Sequence, residues 1–213
     1  MYDNESSKGY NLIKWGILLS ALHINVSIWI FGVQIIPSFI GLIMIAVAIG
    51  SMYKAGGARY FKNLKSSSVK LVIVSVIQFV VGLLFGYENV SGFMNLLSPA
   101  MLLLTFLYET MVFADLLNMT VRLYKDNHEI KKADKLRKDR MLYIKLSLVL
   151  AVIYGLSMIP ALSIWLNYSC MILTLLMKLW LSLMLQNTSK TNLIFKEDEV
   201  IKEEAFNMEN VEK

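Results

Sequence analysis

The chain has 213 residues, 56% of them hydrophobic and 17% charged, with a mean hydropathy of +0.56. Water-soluble domains carry about 45–50% apolar and about 25% charged residues, so this composition leaves too little polar surface to face water on every side. The net charge of +5 comes from basic residues that flank apolar runs, which excludes a nucleic-acid-binding role and points to an integral membrane protein.

After a short tail, residues 1–11, the chain reads as apolar runs separated by turns. A hydrocarbon core takes about 20 helical residues at about 1.5 Å each. Six runs fit: Leu12–Phe31, Ser38–Tyr53, Val69–Gly86, Pro99–Asn118, Leu142–Ile159 and Ala161–Leu185. The first begins near Lys8 and Lys14 as a secretory signal would. It is long, however, and no small-x-small cleavage pattern follows it, so it reads as a retained span. Only Gly155, Ser157 and Pro160 separate the last two runs, and a five-span arrangement with these fused is the rival.

The prolines are Pro37, Pro99 and Pro160, spaced by 62 and 61 residues. Each stands where the second helix of a hairpin is expected to open, a position proline tolerates because its missing N–H would be unpaired there anyway. The spacing suggests three tandem hairpins related as parallel repeats. The alternative is that proline simply favours helix starts.

Charge distribution orients the spans. Lys54 to Lys70 holds five basic residues and no acid, and Arg122 to Arg140 holds eight basic against four acidic. The other connections contain no Lys or Arg and only Glu88. Under the positive-inside rule both termini are cytoplasmic. Lys14, Lys145 and Lys178 then fall in the cytoplasmic halves of their spans and are expected to snorkel. The stretch from Arg122 to Arg140 alternates signs as a solvated helix does, running out of the fourth span and into the fifth. Arg59, Lys62, Lys65, Lys131, Lys132 and Arg137 are expected to grip anionic lipid headgroups or a partner, each Lys or Arg near an acidic leaflet contributing about 1 kcal/mol. Residues 186–213 carry seven acids against four lysines and read as a flexible tail or a loose surface helix.

Polar groups within spans are costly, and so they are candidates for function. Gly16, Ser20, His23 and Ser27 share one helical face, as do Ser75, Gln78, Gly82 and Gly86, and Ser163, Asn167, Cys170, Thr174 and Lys178; Thr105 and Glu109 lie one turn apart. The small and hydroxyl members read first as packing residues. The intramembrane candidates are Glu109, His23, Gln78 and Asn167. Glu109 lies about 15 Å past Pro99 and His23 at similar depth. A carboxyl and an imidazole there would suit proton or cation handling, since burial disfavours each charge and mutual pairing restores it. Asp115 is matched with Lys178 by depth.

Catalytic signatures are lacking. The chain holds no H-E-x-x-H, no G-x-S-x-G and no dinucleotide-binding glycine pattern, Gly56-Gly57 reads as a turn, and Cys170 is a small core residue. No catalytic residue, metal ligand or cofactor is expected. Asn89-Val90-Ser91 matches a glycosylation acceptor by chance.

The strings Ile24-Asn25-Val26, Ile35-Ile36-Pro37-Ser38-Phe39-Ile40-Gly41 and Tyr60-Phe61-Lys62 resemble small uncharacterised multi-pass membrane proteins of low-GC Gram-positive bacteria. Ser38 stands where that family carries an acid and Leu42 where it carries an aromatic. The resemblance covers the first quarter of the chain, implies a bacterial cytoplasmic membrane location and implies no activity.

The expected fold is therefore an all-α polytopic membrane protein of six transmembrane helices in three hairpins. The first functional expectation is a small-solute or cation transporter or channel component. The second is a non-catalytic membrane subunit or an assembly or sensing factor. A substrate-binding membrane subunit of a vitamin importer, working with an ATPase partner, would combine them.

Overall fold

The computed structural model describes residues 5–22, 25–28, 31–34, 37–85, 94–159, 163–191 and 193–195. Within them the chain forms α1 (Glu5–Ala21), β1 (Asn25–Ile28), β2 (Phe31–Gln34), α2 (Ser38–Met52), α3 (Ala58–Phe85), α4 (Met94–Asp126), α5 (Ile130–Leu156) and α6 (Ser163–Ser189). The architecture is all-helical apart from the short β1–β2 pair. Each helix packs against the next in the chain, and α6 closes the ring on α1. Residues near both ends of the chain meet: the Ser6 hydroxyl donates to the Leu193 carbonyl at 2.7 Å, and Ser7 to that of Ser189.

Among the described residues, three segments are long and apolar enough to cross a membrane, Ser38–Leu83, Pro99–Asp126 and Tyr168–Ser189, which suggests a multi-pass membrane protein. Polarity is distributed accordingly. Val47, Ile73, Leu104, Met111, Leu148, Val152 and Leu183 point outward and are more than half exposed, while Ser20, Ser75, Thr105, Glu109, Ser147 and Lys178 are buried. Water would penalise so large an apolar exterior, whereas lipid does not.

The largest departure from expectation is at the first run. Leu12–Phe31 is not one helix: α1 begins at Glu5 and ends at Ala21, and an antiparallel β1–β2 pair follows in the register Asn25↔Gln34 to Ile28↔Phe31. Residues 24–33 are dominated by β-branched and aromatic side chains, which favour extended backbone. Apolarity by itself does not distinguish a buried strand from a helix.

The remaining runs coincide with helices that extend past the apolar stretch into charged sequence. α3 starts at Ala58, before the expected Val69, and α4 continues to Asp126. α4 and α5 are joined by a tight turn in which His128 adopts φ 62° and the Glu129 amide donates to the Tyr124 carbonyl at 2.9 Å. The expected charged helix running out of one span and into the next is thus present, broken once. Gly56-Gly57 forms the expected turn. The π-turn Tyr53–Gly57 joins α2 to α3 with Gly56 at φ 95°, a conformation that costs glycine little. α5 ends at Leu156 and α6 begins at Ser163, so no single helix fuses the last two runs.

The proline repeat is corrected at one point. Pro37 directly precedes α2, as expected, but Pro99 lies inside α4, beyond its first turn, and so does not open the helix. The Asn95 carbonyl there lacks the donor that a residue other than proline would supply. Pro160 lies outside the described residues. Of the expected tail, residues 186–191 and 193–195 are described, and its acidic part, residues 196–213, lies outside the described residues. Residues 186–189 belong to α6, and the described residues beyond it are tied down rather than loose. The Ile194 amide donates to Asn127 Oδ1 at 2.9 Å, Asn127 Nδ2 donates to the Ile194 carbonyl at 3.0 Å, and the Phe195 ring meets Phe61 edge-on at 5.9 Å.

Two glycines let α1 and α2 touch backbone to backbone. A Cβ on Gly16 would lie 2.7 Å from the Gly41 carbonyl oxygen, and one on Gly41 would lie 2.2 Å from the Gly16 carbonyl oxygen and 2.4 Å from the Ser20 amide nitrogen. Gly82, expected to be a packing glycine, faces open space instead. Gly41→Val is therefore expected to lower stability in detergent by at least about 1–3 kcal/mol through overpacking. Gly82→Ala should be neutral or stabilising by up to about 1 kcal/mol. Paired thermal melts of the two variants check this; equal melting temperatures would refute the close contact.

Candidate functional site: a polar cavity around a buried ion pair

Inside the ring lies a cavity of about 110 Å³ to which every helix contributes. Ser20 comes from α1, Ser38 and Leu42 from α2, Ser75 and Gln78 from α3, Leu102, Thr105, Phe106 and Glu109 from α4, Tyr154 from α5, and Thr174 and Lys178 from α6. It has room for several waters or one small solute. The helical spacing explains the lining. Ser75 and Gln78, Thr105 and Glu109, and Thr174 and Lys178 are each one turn apart, so each pair presents one face inward.

The chemistry centres on Glu109 and Lys178. Lys178 Nζ lies 2.7 Å from Glu109 Oε1, and the two residues are 8% and 9% exposed. Oε1 faces the ammonium and takes no hydrogen bond from any other described group. The ammonium also donates to the Ser20 hydroxyl at 3.3 Å and approaches the Ser20 carbonyl at 3.5 Å. Ser20 stands in the last turn of α1, whose final carbonyls have no intrahelical partner and carry the negative end of the helix dipole. Lys178 therefore bridges a carboxylate and a helix C-terminus, both of which favour a cation.

Hydroxyls complete the wall. Tyr154 and Thr174 hydrogen-bond across α5 and α6 at 3.0 Å, and the Tyr154 ring stacks at a tilt on Phe106, 5.2 Å between centroids. Ser38 and Ser75 face each other at 3.5 Å across α2 and α3. Thr105 turns its hydroxyl back to the Met101 carbonyl at 2.8 Å. Ser20 and Thr174 thus line the cavity in addition to packing.

Among the residues selected from sequence, Glu109 and Gln78 meet in this cavity. His23 lies outside the described residues, so its expected pairing with Glu109 falls there too; the side chain of Asn167 is likewise not described. Lys178 was expected to snorkel and to match Asp115. Both expectations are corrected, since Lys178 is buried on Glu109 and Asp115 is exposed. Depth counted along isolated helices cannot tell which faces meet. The available signal was the stripe itself, because Lys178 follows Thr174 by one turn on the polar face of α6. Tyr154 was missed because a tyrosine in an apolar run is indistinguishable from core.

The basic residues lie elsewhere. Arg59, Lys62, Lys131 and Arg137 are exposed, Lys65 holds its ammonium 4.5 Å over the Tyr53 ring, and Lys132 pairs with Glu129 at 3.2 Å. The chain matches no protein-family model, no curated protein and no solved structure.

Breaking a buried pair by removing one partner strands the other charge, at a cost of about 3–5 kcal/mol. Glu109→Gln should therefore lower stability by that amount, and adding Lys178→Met should recover most of it. Chemical denaturation in detergent gives the coupling energy of this double-mutant cycle. Additive losses would show that the two side chains do not interact.

Proposed function

We propose that the protein is a six-span integral membrane transporter or channel component for a small solute or cation, with both termini cytoplasmic in a bacterial cell membrane. The carrying observation is the buried Glu109–Lys178 pair, set in a polar cavity at the broken end of α1. Interrupted helices whose ends face a central cavity are how membrane carriers present partial charges to a substrate, and irregular backbone is tolerated at membrane depth where it lines such a cavity. The orientation is supported by the basic stretches Lys54–Lys70 and Arg122–Arg140.

The pair supplies a means of coupling. A cation or proton entering the cavity competes with the Lys178 ammonium for the Glu109 carboxylate. The displaced ammonium has a second resting place on the Ser20 hydroxyl and carbonyl, which it already touches. Gln78, Thr105, Tyr154 and Thr174 offer neutral oxygen ligands to the incoming group. The double variant Glu109→Gln/Lys178→Met keeps the bundle neutral while removing the exchange.

The test is flux in vesicles reconstituted with the full chain, read by a pH-sensitive dye with a panel of monovalent cations on one side. Wild type should exceed protein-free vesicles, and the double variant should fall at least about tenfold while remaining inserted and helical. Wild-type flux no greater than that of empty vesicles would overturn the transport reading in favour of a non-catalytic membrane subunit.

A further inference from the structure

A second concavity lies at the charged end of the bundle, apart from the central cavity. It is a groove of about 620 Å³ between the first turns of α5 and the last turns of α6. Lys132 and Lys135, one turn apart on α5, and Lys190, directly after α6, supply its cationic side. Trp180 and Leu183 supply its apolar side, Asp139 is the one acid among its lining residues, and Glu129, outside the lining, pairs with Lys132 at 3.2 Å in an exposed contact that a phosphate would have to displace. Lys132 stands 3.5 Å from the Thr191 hydroxyl, which draws the two walls together.

The polarity is graded along α6. Trp180 and Leu183 sit within the apolar segment Tyr168–Ser189, and Leu183 is 60% exposed on its outer face, while Lys190 follows at once. The groove thus straddles the level where hydrocarbon gives way to headgroups. A ligand that satisfies both walls carries an anionic group next to an apolar chain. A free inorganic anion leaves the Trp180–Leu183 wall bare, and a zwitterionic lipid weakens the charge match with three ammonium groups. Lysines at this depth interact most strongly with anionic headgroups, and a tryptophan at the boundary anchors to the same layer.

We propose that this groove is a binding site for an anionic phospholipid, its phosphate held by Lys132, Lys135 and Lys190 and its first acyl carbons lying on Trp180 and Leu183. The site rests on the membrane reading of the chain and not on transport, so a failed flux assay leaves it intact. Binding here ties the start of α5 to the end of α6, the helix that carries Lys178.

The experiment is native mass spectrometry of the full chain in mild non-ionic detergent, titrated with phosphatidylglycerol, with phosphatidylcholine of the same acyl chains, and with glycerol 3-phosphate. Phosphatidylglycerol should be retained at concentrations at least about tenfold below those needed for phosphatidylcholine, and K132Q/K135Q/K190Q should lose that preference. The control K54Q/K70Q/K125Q, which removes three exposed lysines outside the groove, should keep it, with circular dichroism confirming helix content in both. Equal retention of the two lipids, or equal loss in the control, would overturn the proposal. Glycerol 3-phosphate binding as tightly as phosphatidylglycerol would also overturn it, making the groove a soluble-phosphate site. So would zero-length cross-linking of the groove lysines to the acidic residues Glu197–Glu204 with no lipid retained, which would give the groove to the chain's own tail.

Discussion

A carboxylate and an ammonium 2.7 Å apart inside an apolar ring constrain everything around them. Each charge alone at the centre of a membrane helix costs about 2.5–3.5 kcal/mol or more. Neither Glu109 nor Lys178 can turn toward lipid, so α4 and α6 must present these faces to the bundle interior. That choice propagates by helical spacing. Thr105 is carried inward with Glu109, and Thr174 with Lys178. Once these hydroxyls face inward, the facing helices must supply small or polar residues, and Ser20, Ser38, Ser75 and Tyr154 do so.

The end of α1 is the second element of the design. A helix continuing to Phe31 would place no free carbonyl beside Lys178. Because α1 stops at Ala21, its last turn offers the Ser20 carbonyl and hydroxyl to the ammonium. The Gly16–Gly41 contact holds that end against α2, where a side chain on either residue would push the helices apart. Close packing, the broken helix and the ion pair are thus one arrangement. Glycine permits the approach, the approach positions the helix end, and the helix end helps to hold the cation.

At the charged end the molecule is organised by hydroxyls and an amide. Tyr10 bonds Thr120 at 2.9 Å, Tyr124 bonds Thr188 at 3.1 Å and Tyr60 donates to Asp126 at 2.6 Å, linking α1, α3 and α6 to α4. Asn127 clasps Ile194 on both its amide and its carbonyl. The Tyr10–Thr120 and Tyr124–Thr188 bonds are buried, so each hydroxyl there depends on its partner rather than on solvent. The central cavity is held in addition by the Glu109–Lys178 ion pair.

The amino-acid sequence by itself determined the membrane-like composition, the apolar stretches that lie within α2 to α6 though not how far those helices run into charged sequence, the turn at Gly56-Gly57, and Glu109 and Gln78 as inward polar residues. These follow from hydropathy, helical periodicity and glycine geometry, all of which act along a few turns of chain. Tertiary structure decided where α1 stops, which acid Lys178 meets, that Pro99 lies within α4 and that residues 193–195 pack against the bundle. Each of these depends on which helix faces which at a given depth. A residue's partner across the bundle lies tens of residues away, and apolar runs of similar length can be helix, strand or both until neighbours compete for their backbone.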